Sequence, residues 1–235
     1  MFERGVVVSA LADEVAALEA VLAGLSEVQA VLPTRCEPWD VAALAVHTVG
    51  ALHQVTVALE GEAPGVSRGL VSAAGYYAPD VRFSPEVNAA RVGDALEGAA
   101  RRADAAEPGR VLRGLWGALE SRVGREPVER VVVTRHGDPM LLTDYLVTRV
   151  VELVVHGLDL ADALGREPWT SSAGLGLVHE VLFGGVDPAV FARVLPTAGA
   201  GGASLAAVRA VTGRSASAVD RGALEAAGVR FLALG

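Results

Sequence analysis

The segment TRVVELVVHGLDLADALG (residues 148–165) carries four spaced polar side chains in a run rich in valine and leucine. They follow one another at steps of three or four residues: Arg149, Glu152, His156 and Asp159. In an α-helix such steps return to nearly the same face, so the spacing predicts one helix with a polar stripe. Buried charge is costly unless it is paired or bound to a metal. Spacing alone leaves two interpretations open: an Arg149–Glu152 ion pair on a solvated face with His156 beside it, or a ligand-binding site.

Helical patterns also dominate the chain on the N-terminal side of this segment. Helices are predicted over residues 6–31 and from the N-cap Asp40 onward. A third begins at the cap Ser84 and Pro85 and runs to about 104, and its helical spacing resumes over 109–123. The fourth runs from 143 to 164 and stops at Gly165. The β-branched residues 128–135 predict a short strand that turns at 136–139. Residues 1–165 are therefore expected to form four long helices in a bundle, within a mainly α fold.

The remaining residues, 166–235, are predicted to form a small C-terminal domain, an α/β appendage of the bundle. Helices are expected near residues 175–183 and 205–211, separated by a glycine-rich stretch. The final run VRFLALG (229–235) has the apolar pattern of a strand.

Composition excludes several classes of function. The chain has 235 residues, of which 51% are hydrophobic and 20% charged, which suits a folded domain with a full core. Its net charge of −8 argues against nucleic acid or an anionic membrane as a partner. All 20 basic residues are arginines. A P-loop of the usual type and a pyridoxal phosphate Schiff base both need a lysine, so both are excluded.

The single cysteine, Cys36, limits the kinds of metal site that one chain can form. Neither an internal disulfide nor an iron–sulfur cluster nor a cysteine-ligated zinc site is expected, so histidine and carboxylate would hold any metal. Cys36 itself is expected to have a packing or capping role. The N-terminal residues have no signal-peptide pattern, and the uncharged stretch 41–59 is predicted to be a buried core helix. A soluble, cytoplasmic protein is expected.

The other histidines differ in their expected environments. His47 shares a helix face with small residues, which leaves room for close approach, although a core histidine bonded to a backbone carbonyl has the same pattern. His53 lies about 240° further around that helix and should not share the face. His136 in the predicted turn is a candidate for the mouth of a pocket. The long loop 61–79, which ends in Tyr76 and Tyr77, is expected to border a substrate pocket.

Two segments resemble the mycothiol-dependent maleylpyruvate isomerase family, within the DinB-like superfamily of metal-binding four-helix bundles. One is PTRCEPWDVAALAVHTVGAL (33–52), where the matching residues are Pro33, Thr34, Cys36, Trp39, Asp40 and His47. The other is GDPMLLTDYLVTRVVELVVHGLDLADALG (137–165), where Arg149, Glu152, His156 and Asp159 stand at the family's positions and Leu158 stands where a tryptophan is common. Together the two cover roughly 50 residues and are more specific for the bundle than for a reaction.

The resemblance implies that His47, Glu152 and His156 bind a divalent metal, most simply zinc. Three nitrogen and oxygen ligands with open positions are typical of catalytic zinc sites. Arg149 and Asp159 then become catalytic-site candidates that orient the glutamate and the histidine, with a helix-surface or interhelical salt bridge as the alternative.

The resemblance also implies mycothiol as the thiol cosubstrate and a small electrophile as its partner. A metal-bound thiolate would attack the electrophile, in either an S-transferase or a maleylpyruvate-type cis–trans isomerase. Maleylpyruvate is a dianion, for which Arg68, Arg82, Arg135 and Arg214 are the candidate partners. Two other functions stay open, a non-catalytic metal- or ligand-binding bundle and a metal-dependent hydrolase. The sequence leaves both a monomer and a homodimer open.

Overall fold

The computed structural model of the protein describes residues 2–62, 69–77, 84–195, 204–215 and 219–232. The N-terminal helices are α1 (Arg4–Ala23), α2 (Glu27–Ala30), α3 (Val41–Glu60), α4 (Pro85–Arg101), α5 (Glu107–Val123) and α6 (Leu142–Leu164). A 3-10 turn covers Gly75–Tyr77, and two strands, β1 (Val131–Val133) and β2 (Pro139–Leu141), precede α6. The C-terminal helices are α7 (Ser172–Phe183), α8 (Pro188–Val194), α9 (Leu205–Val211) and α10 (Arg221–Ala226).

Four of these helices, α1, α3, α5 and α6, form the bundle. Helices α1 and α3 each pack against both α5 and α6, and α4 lies on the outside of α3. The core between them is aliphatic, with fully buried side chains that include Leu11, Leu52, Leu112 and Leu146. Burying each such leucine contributes about 1.5–3 kcal/mol, so the core is the main source of stability. The predicted mainly α fold is confirmed; of the helical stretches predicted between residues 84 and 123, α5 belongs to the bundle and α4 packs beside it against α3.

The predicted helix ends depend on local capping. The carboxylate of Asp40 accepts from Ala43 N at 2.8 Å, and Ser84 Oγ accepts from Val87 N at 3.2 Å. Gly165 ends α6 in the left-handed region, at a φ of 62°. All three caps were expected from sequence and are confirmed.

The helix predicted over residues 6–31 is wrong in its length, because it breaks after Ala23. Ser26 starts the separate short helix α2, where its hydroxyl accepts from Gln29 N while the Gln29 side chain accepts from Ser26 N. This capping box offers the backbone a new helix start, and it outweighs the continuing apolar pattern.

The predicted strand is shorter than expected and forms a hairpin. β1 pairs with β2 in antiparallel register, with Val132 opposite Met140. Between the strands, Thr134 N donates to Asp138 O at 2.9 Å, and Gly137 has a φ of 82°. Since β2 runs directly into α6, the hairpin holds the turn residues beside the start of that helix.

The C-terminal segment packs on the bundle through α7, which contacts α6 and α1. The two helices expected there are confirmed, whereas α8 and α10 were not predicted. The strand expected from residue 229 onward is not formed over residues 229–232, and residues 233–235 lie outside the described part. The predicted division into domains 1–165 and 166–235 stays a prediction.

Helix α3 was the segment that raised the question of a membrane span. Its length and apolar composition alone would allow it to cross a bilayer. In the structure 56% of its most apolar window is buried inside the protein, and α3 packs against α4, α5 and α6. It is the core helix that the sequence predicted.

Candidate metal centre

Helices α3 and α6 bring together the three predicted metal ligands. His47 comes from α3, and Glu152 and His156 come from consecutive turns of α6. One ligand atom of each lies within 4.8 Å of the other two. His156 Nε2 is 3.3 Å from Glu152 Oε2, and the two imidazole rings meet edge to face with centroids 5.1 Å apart. The structure thus places side chains about a hundred residues apart in sequence at one point.

This arrangement fits a divalent metal by its donors and their spacing. Tetrahedral zinc with bonds of about 2.0–2.1 Å separates its ligand atoms by about 3.3–3.4 Å. The 3.3 Å between His156 Nε2 and Glu152 Oε2 matches that spacing. Two imidazole nitrogens and one carboxylate form the usual ligand set of a catalytic site that keeps a position open.

His156 is fixed by the residue on its other side. Its Nδ1 lies 3.1 Å from Asp159 Oδ2, which leaves Nε2 directed toward Glu152. Burial would lower the pKa of His156, but hydrogen bonds to Asp159, Cys36 and Glu152 outweigh it and raise the pKa well above its ordinary value. Asp159 therefore lies where an orienting residue is needed, because its bond to Nδ1 fixes the ring and leaves the Nε2 proton as the one that a metal would displace.

Asp159 is in turn bound by an arginine from the C-terminal segment. Arg214 donates to Oδ1 through Nε at 2.8 Å and to Oδ2 through Nη2 at 2.6 Å. Burial would raise the pKa of Asp159, but the hydrogen bonds from His156 and Arg214 hold it well below its usual range. The hydrogen bonds thereby stabilise the ionised carboxylate although it is buried.

The carboxylate of Glu152 is bound by Tyr77, a residue for which the sequence predicted only a position near a pocket. The Tyr77 hydroxyl lies 3.2 Å from Glu152 Oε1 and 2.9 Å from the Thr148 carbonyl oxygen. Tyr77 thus binds Glu152 at Oε1, while Oε2 of the same carboxylate faces His156. Both carboxylate oxygens therefore have a neighbouring polar group. The predicted loop ending in Tyr76 and Tyr77 did indicate this region, but not the contact.

His47 is partly buried and stacks on Trp39, with ring centroids 4.5 Å apart and planes 28° from parallel. Burial, followed by the charge of His156, lowers its pKa to about 3. The imidazole of His47 is therefore neutral near neutral pH. A neutral imidazole has the lone pair that a metal ligand requires.

Cys36 takes part in the surroundings of the site more directly than expected. Its Sγ lies 3.3 Å from Asp159 Oδ2, and with His156 and Asp159 it forms a second group of metal-ligand types. Arg214 already neutralises Asp159, and Arg35 Nε lies 3.9 Å from the same carboxylate. This charge balance disfavours a cation on that side of His156.

A cavity of about 180 Å³ opens beside the metal-ligand group. His47 and Glu152 lie in its wall, together with Gln54, Tyr76, Arg91, Asp94, Arg135, His136 and Arg149. His136 is thus at the pocket as predicted, whereas His53 is exposed and does not line this cavity. Of the four arginines proposed for an anion, Arg135 lines the cavity and Arg214 binds Asp159. Arg68 and Arg82 lie outside the described residues.

Arg149 is buried, with 2% of its surface exposed, one turn before Glu152. Its Nε and Nη2 donate to Thr148 Oγ1 at 3.0 and 2.9 Å, and its Nη1 donates to the Ala51 carbonyl oxygen at 3.1 Å. The hydrogen bonds of this guanidinium therefore go to neutral oxygens. The prediction that Arg149 orients Glu152 stays a prediction.

Comparison with known proteins identifies the family of the chain. The model of the mycothiol maleylpyruvate isomerase N-terminal domain family matches residues 11–161. The chain belongs to this family. It is thus a protein of the mycothiol-dependent maleylpyruvate isomerase type, and the matched range contains His47, Glu152, His156 and Asp159 but not Arg214.

A solved relative of this maleylpyruvate isomerase family shares the fold. The crystal structure of the mycothiol-dependent maleylpyruvate isomerase superposes with a TM-score of 0.58 at 13% identity. The match covers 93% of this chain and 92% of the other, so it extends through the C-terminal segment. At this identity the likeness shows the fold alone. No curated protein matches the chain.

Proposed function

We propose that the protein is a metal-dependent enzyme that uses mycothiol as its thiol cosubstrate to attack a small electrophile. The observation that carries this proposal is the convergence of His47, Glu152 and His156 beside a cavity. Membership of the maleylpyruvate isomerase family supports mycothiol as the thiol. Zinc is the proposed metal, because two imidazoles and one carboxylate are common zinc ligands.

A divalent ion held by these residues would lower the pKa of a coordinated thiol, so that the thiolate is available at neutral pH. The residues of the chain prepare that site. His47 is kept neutral by burial, and the bond between His156 Nδ1 and Asp159 leaves Nε2 directed toward Glu152. Tyr77 holds Glu152 through Oε1. These contacts set the directions of the three donors before any ligand arrives.

The thiol itself must come from solution. The group of His47, Glu152 and His156 contains no cysteine, and Cys36 lies on the opposite side of His156, against Asp159. The cavity gives access to His47 and Glu152 from outside. A free thiol entering there meets the metal-ligand group directly, which is consistent with a cosubstrate rather than a protein nucleophile.

Two outcomes of thiol attack are consistent with this site. Addition of the thiolate to a carbon–carbon double bond, rotation about the resulting single bond and loss of the same thiol would give cis–trans isomerisation. Displacement of a leaving group, or opening of an epoxide, would give S-transfer. The family favours isomerisation.

The test begins with elemental analysis of untagged protein, with His156→Ala as the variant and His179→Ala as the control on α7. We expect close to one divalent ion per chain in wild type and in the control, and its loss in His156→Ala. No metal in wild type after reconstitution with zinc would contradict the proposal.

The second stage assays metal-loaded protein with mycothiol and a panel of electrophiles that includes maleylpyruvate. We expect isomerisation or thiol consumption that saturates with mycothiol and is absent in His156→Ala. Turnover without thiol would instead identify a hydrolase. Saturable ligand binding without turnover would identify a non-catalytic binding protein.

A further inference from the structure

Arg149 has hydrogen-bonding capacity that the described residues do not use. A guanidinium carries five N–H donors. Three donations are described for Arg149, two to Thr148 Oγ1 and one to the Ala51 carbonyl oxygen. Two N–H groups, on Nη1 and Nη2, therefore have no partner among the described residues.

The charge of Arg149 has no acidic group within ion-pair distance in the described part of the chain, although the Glu152 carboxylate acts on it from further away. None of the salt bridges found there includes Arg149. Its guanidinium instead lies over the rings of Tyr76 and Tyr145, at 5.2 and 4.8 Å from their centroids. Aromatic faces attract a cation but do not neutralise it. A buried charge without a counterion is unfavourable, and a ligand that supplies one is stabilised.

The nearest acidic group has other partners. Glu152 follows Arg149 by one helical turn, but its carboxylate oxygens lie against the Tyr77 hydroxyl and His156 Nε2. Arg149 and Glu152 both line the cavity, as does His47. The positive charge of Arg149 thus borders the same space as the candidate metal ligands.

We propose that Arg149 is the residue that binds an anionic group, a carboxylate, of the electrophilic substrate. This inference rests on the proposed function, and it specifies the substrate as an acid whose reactive carbon lies between Arg149 and the metal-ligand group. Two N–H donors on one planar guanidinium suit a carboxylate, which accepts two such bonds side by side. Arg91 and Arg135 also line the cavity, so that with Arg149 three positive side chains stand against the two acids Asp94 and Glu152.

The test measures binding of maleate by calorimetry, with dimethyl maleate as the uncharged probe of nearly the same shape. Because maleate could also bind a metal ion, both titrations are run on the protein as purified and after removal of metal. We expect Arg149→Gln to weaken maleate binding at least about tenfold in both forms, and to leave dimethyl maleate unaffected. Arg149→Lys keeps the charge but not the paired donors, so its affinity for maleate should lie between those of wild type and Arg149→Gln. Arg101→Gln, which removes an exposed arginine of α4, is the control and should bind like wild type.

Several outcomes would overturn the inference. One is that wild type and Arg149→Gln bind maleate equally well. Another is that wild type binds maleate and its dimethyl ester equally well. The third is that wild type does not bind maleate at all. If Arg149→Gln does not fold, as judged by circular dichroism, then Arg149→Lys decides. Full affinity for maleate in that variant would contradict the paired contact.

A second variant tests whether the anion occupies this cavity. Gly50 lines it, and a side chain built there meets nothing within 4 Å, so Gly50→Leu would project into open space. We expect this variant to weaken maleate binding while keeping a wild-type thermal midpoint, and unchanged binding would place the anion elsewhere. The titrations need neither mycothiol nor turnover. The titrations can therefore confirm that Arg149 binds an anion even if the assays contradict the proposed use of a thiol. The assays can likewise confirm the use of a thiol even if the titrations contradict the role of Arg149.

Discussion

Arg214 binds both carboxylate oxygens of Asp159 across the interface between the C-terminal segment and α6. Both side chains are buried, with 4% and 0% of their surface exposed. Asp159 in turn bonds His156 Nδ1, so a residue outside the matched family range fixes the surroundings of a candidate metal ligand. The C-terminal segment is therefore part of the site's support as well as of the fold.

Replacing Arg214 by methionine should destabilise the protein strongly. Removing one partner of a buried ion pair leaves the other charge without compensation, at a cost of about 3–5 kcal/mol. Arg101→Met is the matched control, because Arg101 pairs with the exposed Glu97 and such surface pairs contribute about 0–1 kcal/mol. Urea unfolding of the three proteins measures both effects. Equal stability of the two variants would show that the Asp159 carboxylate does not depend on Arg214.

Asp159→Asn should weaken metal binding without removing a ligand. The amide cannot accept in the same way from His156 Nδ1 and Arg214, so the orientation and basicity of His156 change. Losing such a supporting contact typically lowers metal affinity about 10- to 100-fold. Competition with a chromogenic chelator measures this, and Asp162→Asn, one turn further along α6, should leave the affinity unchanged. Unaltered affinity in Asp159→Asn would mean that the contact does not position His156.

The two histidines of α3 should differ in metal binding. His47→Ala should lose the bound ion, because its imidazole lies in the group with Glu152 and His156. His53→Ala should retain it, since that exposed side chain is on another face of the same helix. Elemental analysis after zinc reconstitution distinguishes them. Retention of a full equivalent by His47→Ala would remove His47 from the ligand set.

Gly174 in α7 should not tolerate a side chain. An added Cβ would lie inside contact distance of Glu14 Oε1 and 2.8 Å from Glu14 Cδ. We expect Gly174→Ala to cost about 1–3 kcal/mol, as overpacking usually does. Gly176→Ala is the control, because the space around that position is open and alanine favours a helix by about 0.5–1 kcal/mol. Thermal unfolding compares them, and a neutral Gly174→Ala would mean that Glu14 moves away without cost.

Glu14 should give the protein a pH-dependent contribution to stability. Burial raises its pKa, although its Oε1 accepts from Ser171 N at 2.7 Å and from the Thr170 and Ser171 hydroxyls. The folded state then binds the proton more tightly than the unfolded state. This contribution is complete below the unfolded pKa and is lost as pH rises through the raised folded pKa. The thermal midpoint of wild type relative to that of Glu14→Gln should therefore decrease as pH rises from below the ordinary pKa of a glutamate through the raised folded pKa. A constant or rising difference would contradict the raised pKa.

Much of the fold was predictable because helical signals are local. The caps at Asp40, Ser84 and Gly165 and the apolar spacing of α6 come from residues a few positions apart. Errors arose where two local signals compete, as at the capping box of Ser26, which ended the first helix early. The strand predicted from residue 229 failed because an apolar run needs a partner strand, and the described residues offer none there.

The sequence by itself determined the polar stripe of α6, because steps of three and four residues put Arg149, Glu152, His156 and Asp159 on one face of any helix. It also determined that histidine and carboxylate would hold any metal, since Cys36 is the only cysteine. The tertiary structure decided the rest. Which residue meets the stripe from another element depends on packing between parts of the chain far apart in sequence. Only the folded bundle therefore brings Tyr77 to Glu152, Cys36 and Arg214 to Asp159, and the guanidinium of Arg149 to the cavity.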